Sequence, residues 1–411
     1  MADSNLITRT LQRSLQRQYA QYPVTFITGP RQSGKSTLAH MCFPDLNEVN
    51  LEDLQLRSAA QADSKTFLEQ TKTPLIIDEA QYAPDLFSYI QVNVDKTRAL
   101  GQYILTGSQN FLLVKHITQS LAGRVAILRL LPLSYQEVMQ HIHRDKTVQI
   151  RNTKESSRAL DVNQFILTGG YPALYDRALD RMPYFRNYIN TYVERDVKAL
   201  YAIKDLARFR DFLEICALNA GKLLNLSELS RDCGMALNTI KSWLSILEAS
   251  YLIFLLRPYY KNGRKRLTKT PKVYFYDTGL LCYLLQIATP EQLVRSNHYG
   301  PIFENLIIAE TIKNYYNQNI EPRLFFYRDD HKFEVDLLDF TNPEGPAAYE
   351  IKSSQTYHDS YARALTTISD ELAIPLNNRG VIMRSAFSYT KEQTSIIDVL
   401  DYLIQKPEAL K

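Results

Sequence analysis

Gly29-Pro30-Arg31-Gln32-Ser33-Gly34-Lys35-Ser36, with Thr37 after it, has the spacing G-x-x-x-x-G-K-[ST]. Its residue types suit one task. Glycines let the backbone wrap a phosphate with its N–H groups, and a helix starting just after adds positive potential at its N-terminus. Lys35 is placed to reach the β/γ-phosphates and the Ser36 hydroxyl to ligate Mg²⁺. The apolar run Val24–Thr28 reads as a strand before the loop, and Thr37–Met41 as a helix after it. Further along, Leu75-Ile-Ile-Asp78-Glu79 reads as a buried strand ending in two acids. Asp78 would hold Mg²⁺ through water and Glu79 would polarise an attacking water. That second carboxylate points to hydrolysis rather than to nucleotide binding alone. A strand that merely ends in acids is common, but not behind such a loop.

A second constellation lies toward the C-terminus. Phe325–Arg328, Phe333–Leu338 and Ala348–Lys352 read as consecutive strands joined by turns. Period two puts Glu350 and Lys352 on one face, on either side of Ile351, and Asp336 of the neighbouring strand can point to the same face. Two carboxylates suit Mg²⁺, and a lysine can orient or activate water. An Asp followed at this distance by Glu-x-Lys resembles the PD-(D/E)XK nuclease signature. The resemblance implies a restriction-endonuclease-like core of helix, three strands, helix and strand. Gly300–Glu310, Asp359–Leu372 and Arg379–Arg384 supply the remaining elements in that order, and Glu304 of the first helix is nominated as a further metal ligand. Val335 stands where that signature usually has proline, which is not itself a ligand. Acid-rich strand pairs also occur without cleaving anything, and such folds persist as binding modules.

The first set of motifs, GPRQSGKST, LIIDEAQ and LTGSQN with the later SLAGR, resembles the prokaryotic AAA-type ATPases whose chain continues into a C-terminal domain. The resemblance implies ATP as the nucleotide and a sensor turn at Thr106–Asn110. Ser108 is its foremost polar group near the γ-phosphate, with Gln109 and Asn110 as alternatives. It also implies that Arg124 contacts the γ-phosphate in cis or from a neighbouring subunit, with Arg195 the second candidate. An arginine beside an acid on a helix is also commonly just an ion pair. AAA-type modules commonly form rings, so a homo-oligomer is implied, although no heptad or apolar stripe fixes its size.

These sites need elements to hold them. The 411 residues suffice for about two to four domains, and 45% hydrophobic composition excludes a disordered or fibrous chain. Residues 1–155 alternate strands with helices, as a parallel α/β P-loop sheet does. Residues 156–284 are mainly helical, and 285–411 return to strands. In the middle segment, Leu226–Ser230 and Asn238–Leu247 read as two short helices about a turn at Gly234, with Ser227 as a cap. The strand Tyr251–Leu256 then makes a winged helix plausible, with Asn238, Thr239, Lys241 and Ser242 on its exposed face. The run Lys261–Lys272 would be the wing, basic and free of acids, suited to phosphate contacts, although a charged hairpin is usually only a solvated loop.

The net charge of +4 neither requires nor excludes a nucleic-acid partner, because 48 basic residues nearly balance 44 acidic ones. The longest strongly apolar stretch, near Tyr251–Leu256, is far short of the ~20 residues a membrane span needs, so no membrane partner is expected. Four cysteines without a C-x-x-C pair suit reduced thiols in the cytoplasm. Arg9, Arg13 and Arg17 are expected on one solvated face of a short helix whose Leu6, Leu11 and Leu15 pack. Together these features predict an ATP-hydrolysing AAA-type enzyme coupled to a DNA-binding C-terminal domain able to cleave DNA with Mg²⁺. The rival expectation is a non-cleaving, nucleotide-gated regulator or scaffold that binds DNA or protein through an inactive nuclease-like domain. An RNA-directed enzyme is a weaker third.

Overall fold

The computed structural model describes residues 6–108, 120–144, 160–192, 205–260, 269–329 and 333–404. Among them, no helix is long and apolar enough to cross a membrane. The chain forms two compact units. One runs to Pro132 and takes in Ala249–Tyr251 and Tyr316–Ile320, and the other holds the remainder. The middle and C-terminal segments that differ in sequence periodicity therefore fall in one unit.

The first unit carries a five-stranded sheet of β1 (Val24–Gly29), β2 (Asn47–Asn50), β3 (Leu75–Asp78), β4 (Tyr103–Ser108) and β5 (Val125–Arg129). The order is β2-β3-β4-β1-β5, and every pairing is parallel. Alternating side chains serve two cores, as a parallel sheet covered on both faces requires. Phe26, Leu75, Ile77 and Leu105 pack with Phe87 and Ile90 on one side. Ile27, Ile76, Ile104 and Leu128 pack with Leu38 and with Leu11 and Leu15 of the helix Gln12–Tyr19 on the other. The apolar runs Val24–Thr28, Leu75–Asp78, Tyr103–Thr106 and Val125–Leu130 point to four of these strands. They do not reveal β2, whose Asn-Glu-Val-Asn buries only Val49 at the sheet edge and has no apolar run to betray it.

The second unit begins with helices. Asn225, not Ser227, caps the helix Leu226–Asp232: its side-chain oxygen accepts from the N–H groups of Ser227 and Glu228. Ser227 is already inside the first turn, where its own N–H needs a partner. The helix Leu237–Ala249 follows, and its Trp243 lies 5.1 and 5.6 Å from the rings of Phe209 and Phe212 on the helix Leu206–Leu218. Tyr184, Tyr188 and Tyr192 are buried, and the Tyr171 hydroxyl donates to that of Tyr188 at 2.8 Å, so these tyrosines are packing residues.

An eight-stranded sheet completes this unit. Its members are β6 (Ile253–Pro258), β7 (Lys272–Phe275), β8 (Leu324–Arg328), β9 (Glu334–Asp339), β10 (Ala347–Lys352), β11 (Arg379–Met383), β12 (Tyr389–Lys391) and β13 (Thr394–Asp398). The order is β12-β13-β11-β10-β9-β8-β6-β7. β8, β9 and β10 pair antiparallel in succession, β10 pairs parallel with β11, and β6 joins β8 through Arg257 and Pro258. The helix Tyr299–Asn317 precedes β8, and Ala362–Glu371 lies between β10 and β11.

β7 ends this sheet, and a strand edge left dry would strand its peptide groups. Asn305 of the helix Tyr299–Asn317 supplies the missing partner. Its amide donates to the Phe275 carbonyl and its oxygen accepts from the Phe275 N–H, both at 2.8 Å, with Asn305 wholly buried. Asn305→Ala leaves two buried backbone groups unmet at about 1–3 kcal/mol each. A lowered denaturation midpoint, losing about 2–6 kcal/mol of stability, is the expected outcome.

Candidate functional site

The first site forms at the C-terminal edge of the parallel sheet. β1 ends at Gly29 with φ +150°, where an added Cβ would lie 2.1 Å from the Leu130 carbonyl oxygen, so only glycine fits. The loop then turns through Gln32 at φ 58° and Gly34 at φ 91° into the helix Lys35–Cys42. Gly34 offers that helix no side-chain cap, which leaves its first N–H groups to a ligand. Lys35 folds back, its ammonium donating to the carbonyls of Gly29 at 3.2 Å and Pro30 at 2.8 Å. Arg31 is half-buried, whereas Gln32 and Thr37 are exposed.

Asp78, at the end of β3, is buried and receives two hydroxyls on Oδ1: Ser36 Oγ at 2.7 Å and Thr106 Oγ1 of β4. Glu79 follows in a left-handed backbone, φ 53°, and its carboxylate accepts from the Gln81 amide. A glutamate in that conformation is held there by its surroundings, which is common at functional sites.

The second site gathers on one face of the eight-stranded sheet. β9 pairs with β10 from Ala347 opposite Asp339 to Tyr349 opposite Leu337. One step further, the Asp336 carboxylate itself accepts the Ile351 N–H at 2.8 Å. Lys352 Nζ lies 2.6 Å from Glu350 and 3.6 Å from Asp336. Glu304, from the helix Tyr299–Asn317, accepts from Lys272 Nζ at 3.0 Å and from the Tyr274 hydroxyl at 2.5 Å. Lys272 also lies 2.6 Å from Glu334, which Arg328 approaches at 3.4 Å.

Burial pushes Glu304 up to about 7 and Glu350 up to about 8, with the charge of Asp336 adding to both. Burial opposes the charges of Lys272 and Lys352, but the surrounding carboxylates outweigh it and hold both protons above the ordinary lysine range. Glu350 Oε2 is buried without a hydrogen-bond partner. Among the described residues, no three His, Cys, Asp or Glu side chains already converge as a metal cage.

Comparison with known proteins now places the chain. Residues 21–139 match the AAA domain family, 159–291 match a domain of unknown function (DUF8612), and 299–402 match another (DUF4143). The uncharacterized proteins Mb2031c of Mycobacterium bovis and Rv2008c of Mycobacterium tuberculosis are each 30% identical over 83% of this chain and 73% of their own. The chain belongs to the family of these mycobacterial proteins. Its N-terminal part is an AAA domain. Among solved structures, the Walker-type ATPase PABY2304 of Pyrococcus abyssi is similar over 69% of this chain and 97% of its own, with 17% identity and a TM-score of 0.47.

Within the AAA domain, Ser108 pairs in register with Gly29, which puts its backbone beside the phosphate loop. Gln109, Asn110 and Arg195 lie outside the described residues, as does 261–268 of the basic run. Arg124 is a correction to the cis expectation. Its carbonyl accepts the Val24 N–H at the opposite end of β1, about 16 Å along the strand from Gly29. Its guanidinium is bidentate on Asp95, at 2.5 and 2.9 Å, and this contact holds Asp95 below the usual carboxylate range.

Arg9 is a second correction. Instead of lying on a solvated face it is 5% exposed, donating to the carbonyls of Ser33 and Leu131 at 2.7 Å each. A charged group buried in this way ties the phosphate loop to the segment after β5, a contact across the chain that arginine spacing cannot announce. Thr106 opens the expected sensor turn, whereas Lys272 is a further site neighbour that residue patterns did not single out.

Two measurements follow. Arg9→Ala frees the loop carbonyl, so nucleotide affinity of the folded variant should fall about tenfold, or about 1.4 kcal/mol, by calorimetric titration. The raised carboxyls of Glu304 and Glu350 bind protons in the folded chain that the unfolded chain has already released. Their contribution to stability is therefore present below the ordinary glutamate value of 4.5 and is lost as pH rises through about 8. Melting temperature should decline over that window, and Glu350→Gln should lessen the decline.

Proposed function

We propose that the chain is an ATP-hydrolysing AAA-type enzyme coupled to a DNA-binding, nuclease-like C-terminal part that cleaves DNA with a divalent cation. The observation that carries the ATPase reading is the meeting of Ser36, Asp78 and Thr106 beside a helix N-terminus that lacks its own cap. Ser36 and Asp78 would hold Mg²⁺, which neutralises phosphate charge when bound. Lys35 would leave the loop carbonyls for the β/γ-phosphates, and Glu79, released by Gln81, would orient the attacking water. Any Arg124 contribution would come from a neighbouring copy, consistent with a homo-oligomer.

In the C-terminal part, the order helix, three strands, helix and strand supports a restriction-endonuclease-like core. Hard oxygen donors from Asp336 and Glu350, one of them a buried oxygen without a partner, fit Mg²⁺. Lys352 is within reach of both carboxylates and would position the water. The helix, turn and helix followed by β6 and β7 support the winged-helix reading of residues 156–284, whose two strands also join the sheet of 285–411. All four cysteines are free, consistent with a cytoplasmic setting.

One observation favours the rival, non-cleaving reading: Asp336, Glu350 and Glu304 are already met by lysines. Incubation of the purified protein with single- and double-stranded DNA, ATP and Mg²⁺ or Mn²⁺ separates the two. Metal-dependent nicking that Asp336→Ala abolishes is expected, and its absence from the wild type would leave the switch. Glu79→Gln should lower ATP turnover at least ~100-fold, and turnover at the wild-type rate would refute the assigned role.

A further inference from the structure

Lys272 opens β7 at the foot of the basic run, yet its environment is that of a buried charge. Its side chain is 4% exposed, and its ammonium lies between Glu304 and Glu334 and over the Phe326 ring, 5.3 Å from the ring centre. The two acids it joins come from different elements, Glu304 from the helix Tyr299–Asn317 and Glu334 from the start of β9. Tyr274, two residues on and so on the same face of β7, donates to the same Glu304 oxygen. Arg328 takes the other Glu334 oxygen. This end of the cluster has its donors in place.

The other end differs. Lys352 is 32% exposed on its side chain and can swing its ammonium into water on a flexible stem. The buried acceptor lacking a donor, Glu350 Oε2, is at this end. Phosphodiester-cleaving sites with two cations hold them about 3.5–4 Å apart between shared carboxylates. An ammonium wedged between Glu304 and Glu334 is a fixed positive charge within reach of the Asp336 charge, and removing it would leave two half-buried acids facing each other.

We propose that Lys272 is the resident second cation of this site, so that the cluster takes a single divalent ion, at Asp336 and Glu350, and Glu304 serves Lys272 rather than the metal. This rests on the nuclease-like reading of Asp336 and Glu350. It makes Lys272 a determinant of ion number. The Lys272 charge is supplied by the fold and does not depend on the ambient metal concentration.

The test is Mn²⁺ binding followed by electron paramagnetic resonance. It uses the nucleotide-free full chain carrying Asp78→Ala, so that the ATPase site contributes no ion. With Lys272 intact, one Mn²⁺ per chain with an isolated, uncoupled signal is expected, and Asp336→Asn should abolish it. Lys272→Met should double the count to two and introduce spin coupling between the ions, whereas Lys272→Arg should keep it at one. A spin-coupled pair in the protein with Lys272 intact overturns the proposal, and this needs no variant at position 272 to fold. So does a count that stays at one in folded Lys272→Met. Binding unaffected by Asp336→Asn would overturn instead the metal-site reading beneath it.

Discussion

A carboxylate taken out of water must be met by donors, and each candidate site is organised around that requirement. Asp78 ends a strand whose other residues are wholly apolar, so its charge can be satisfied only by what lies beyond the strand: the first helical turn after the phosphate loop and the neighbouring β4. Asp336 meets the same demand differently. It takes a backbone N–H from β10 where the strand ladder would otherwise continue, and Lys352 approaches the same oxygen. In each case the acid fixes how two adjoining elements end. The same groups that satisfy a lone carboxylate are those a cation and its phosphate would displace.

The requirement also explains why lysines are buried in the second unit. Lys313 donates to Glu310 at 2.8 Å and to the Leu133 carbonyl at 3.2 Å, while Glu310 accepts the Tyr135 N–H. Burial drives Glu310 toward its neutral form, and Lys313 opposes that shift. This pair lies on the same helix as Glu304, so one helix carries both a structural ion pair and a side chain of the candidate site.

What could be read from the sequence was what is local. The phosphate loop announces itself because its chemistry needs particular residue types at consecutive positions, and β1 and β3 announce themselves because strands buried on both faces are continuous apolar runs. Asp336, Glu350 and Lys352 could be grouped because strand periodicity decides the face. Arg9, Asn305 and Lys272 were not legible as site or support residues. Each acts through a partner distant in sequence, and nothing in its neighbours distinguishes a buried arginine or lysine from a solvated one. Lys272 in particular ends a basic run, so composition pulled its reading toward a solvent-facing loop. Arg124 shows the reverse case, where a motif gave a residue a role that its place at the far end of β1 does not permit within one chain.

The packing of Trp243 against Phe209 and Phe212 has a spectroscopic consequence. The chain contains 27 tyrosines but this single tryptophan. Selectively excited indole emission therefore comes from one address, the junction of the helices Leu206–Leu218 and Leu237–Ala249. A change in its colour or intensity on adding nucleotide or nucleic acid would localise the response to those helices without any introduced label.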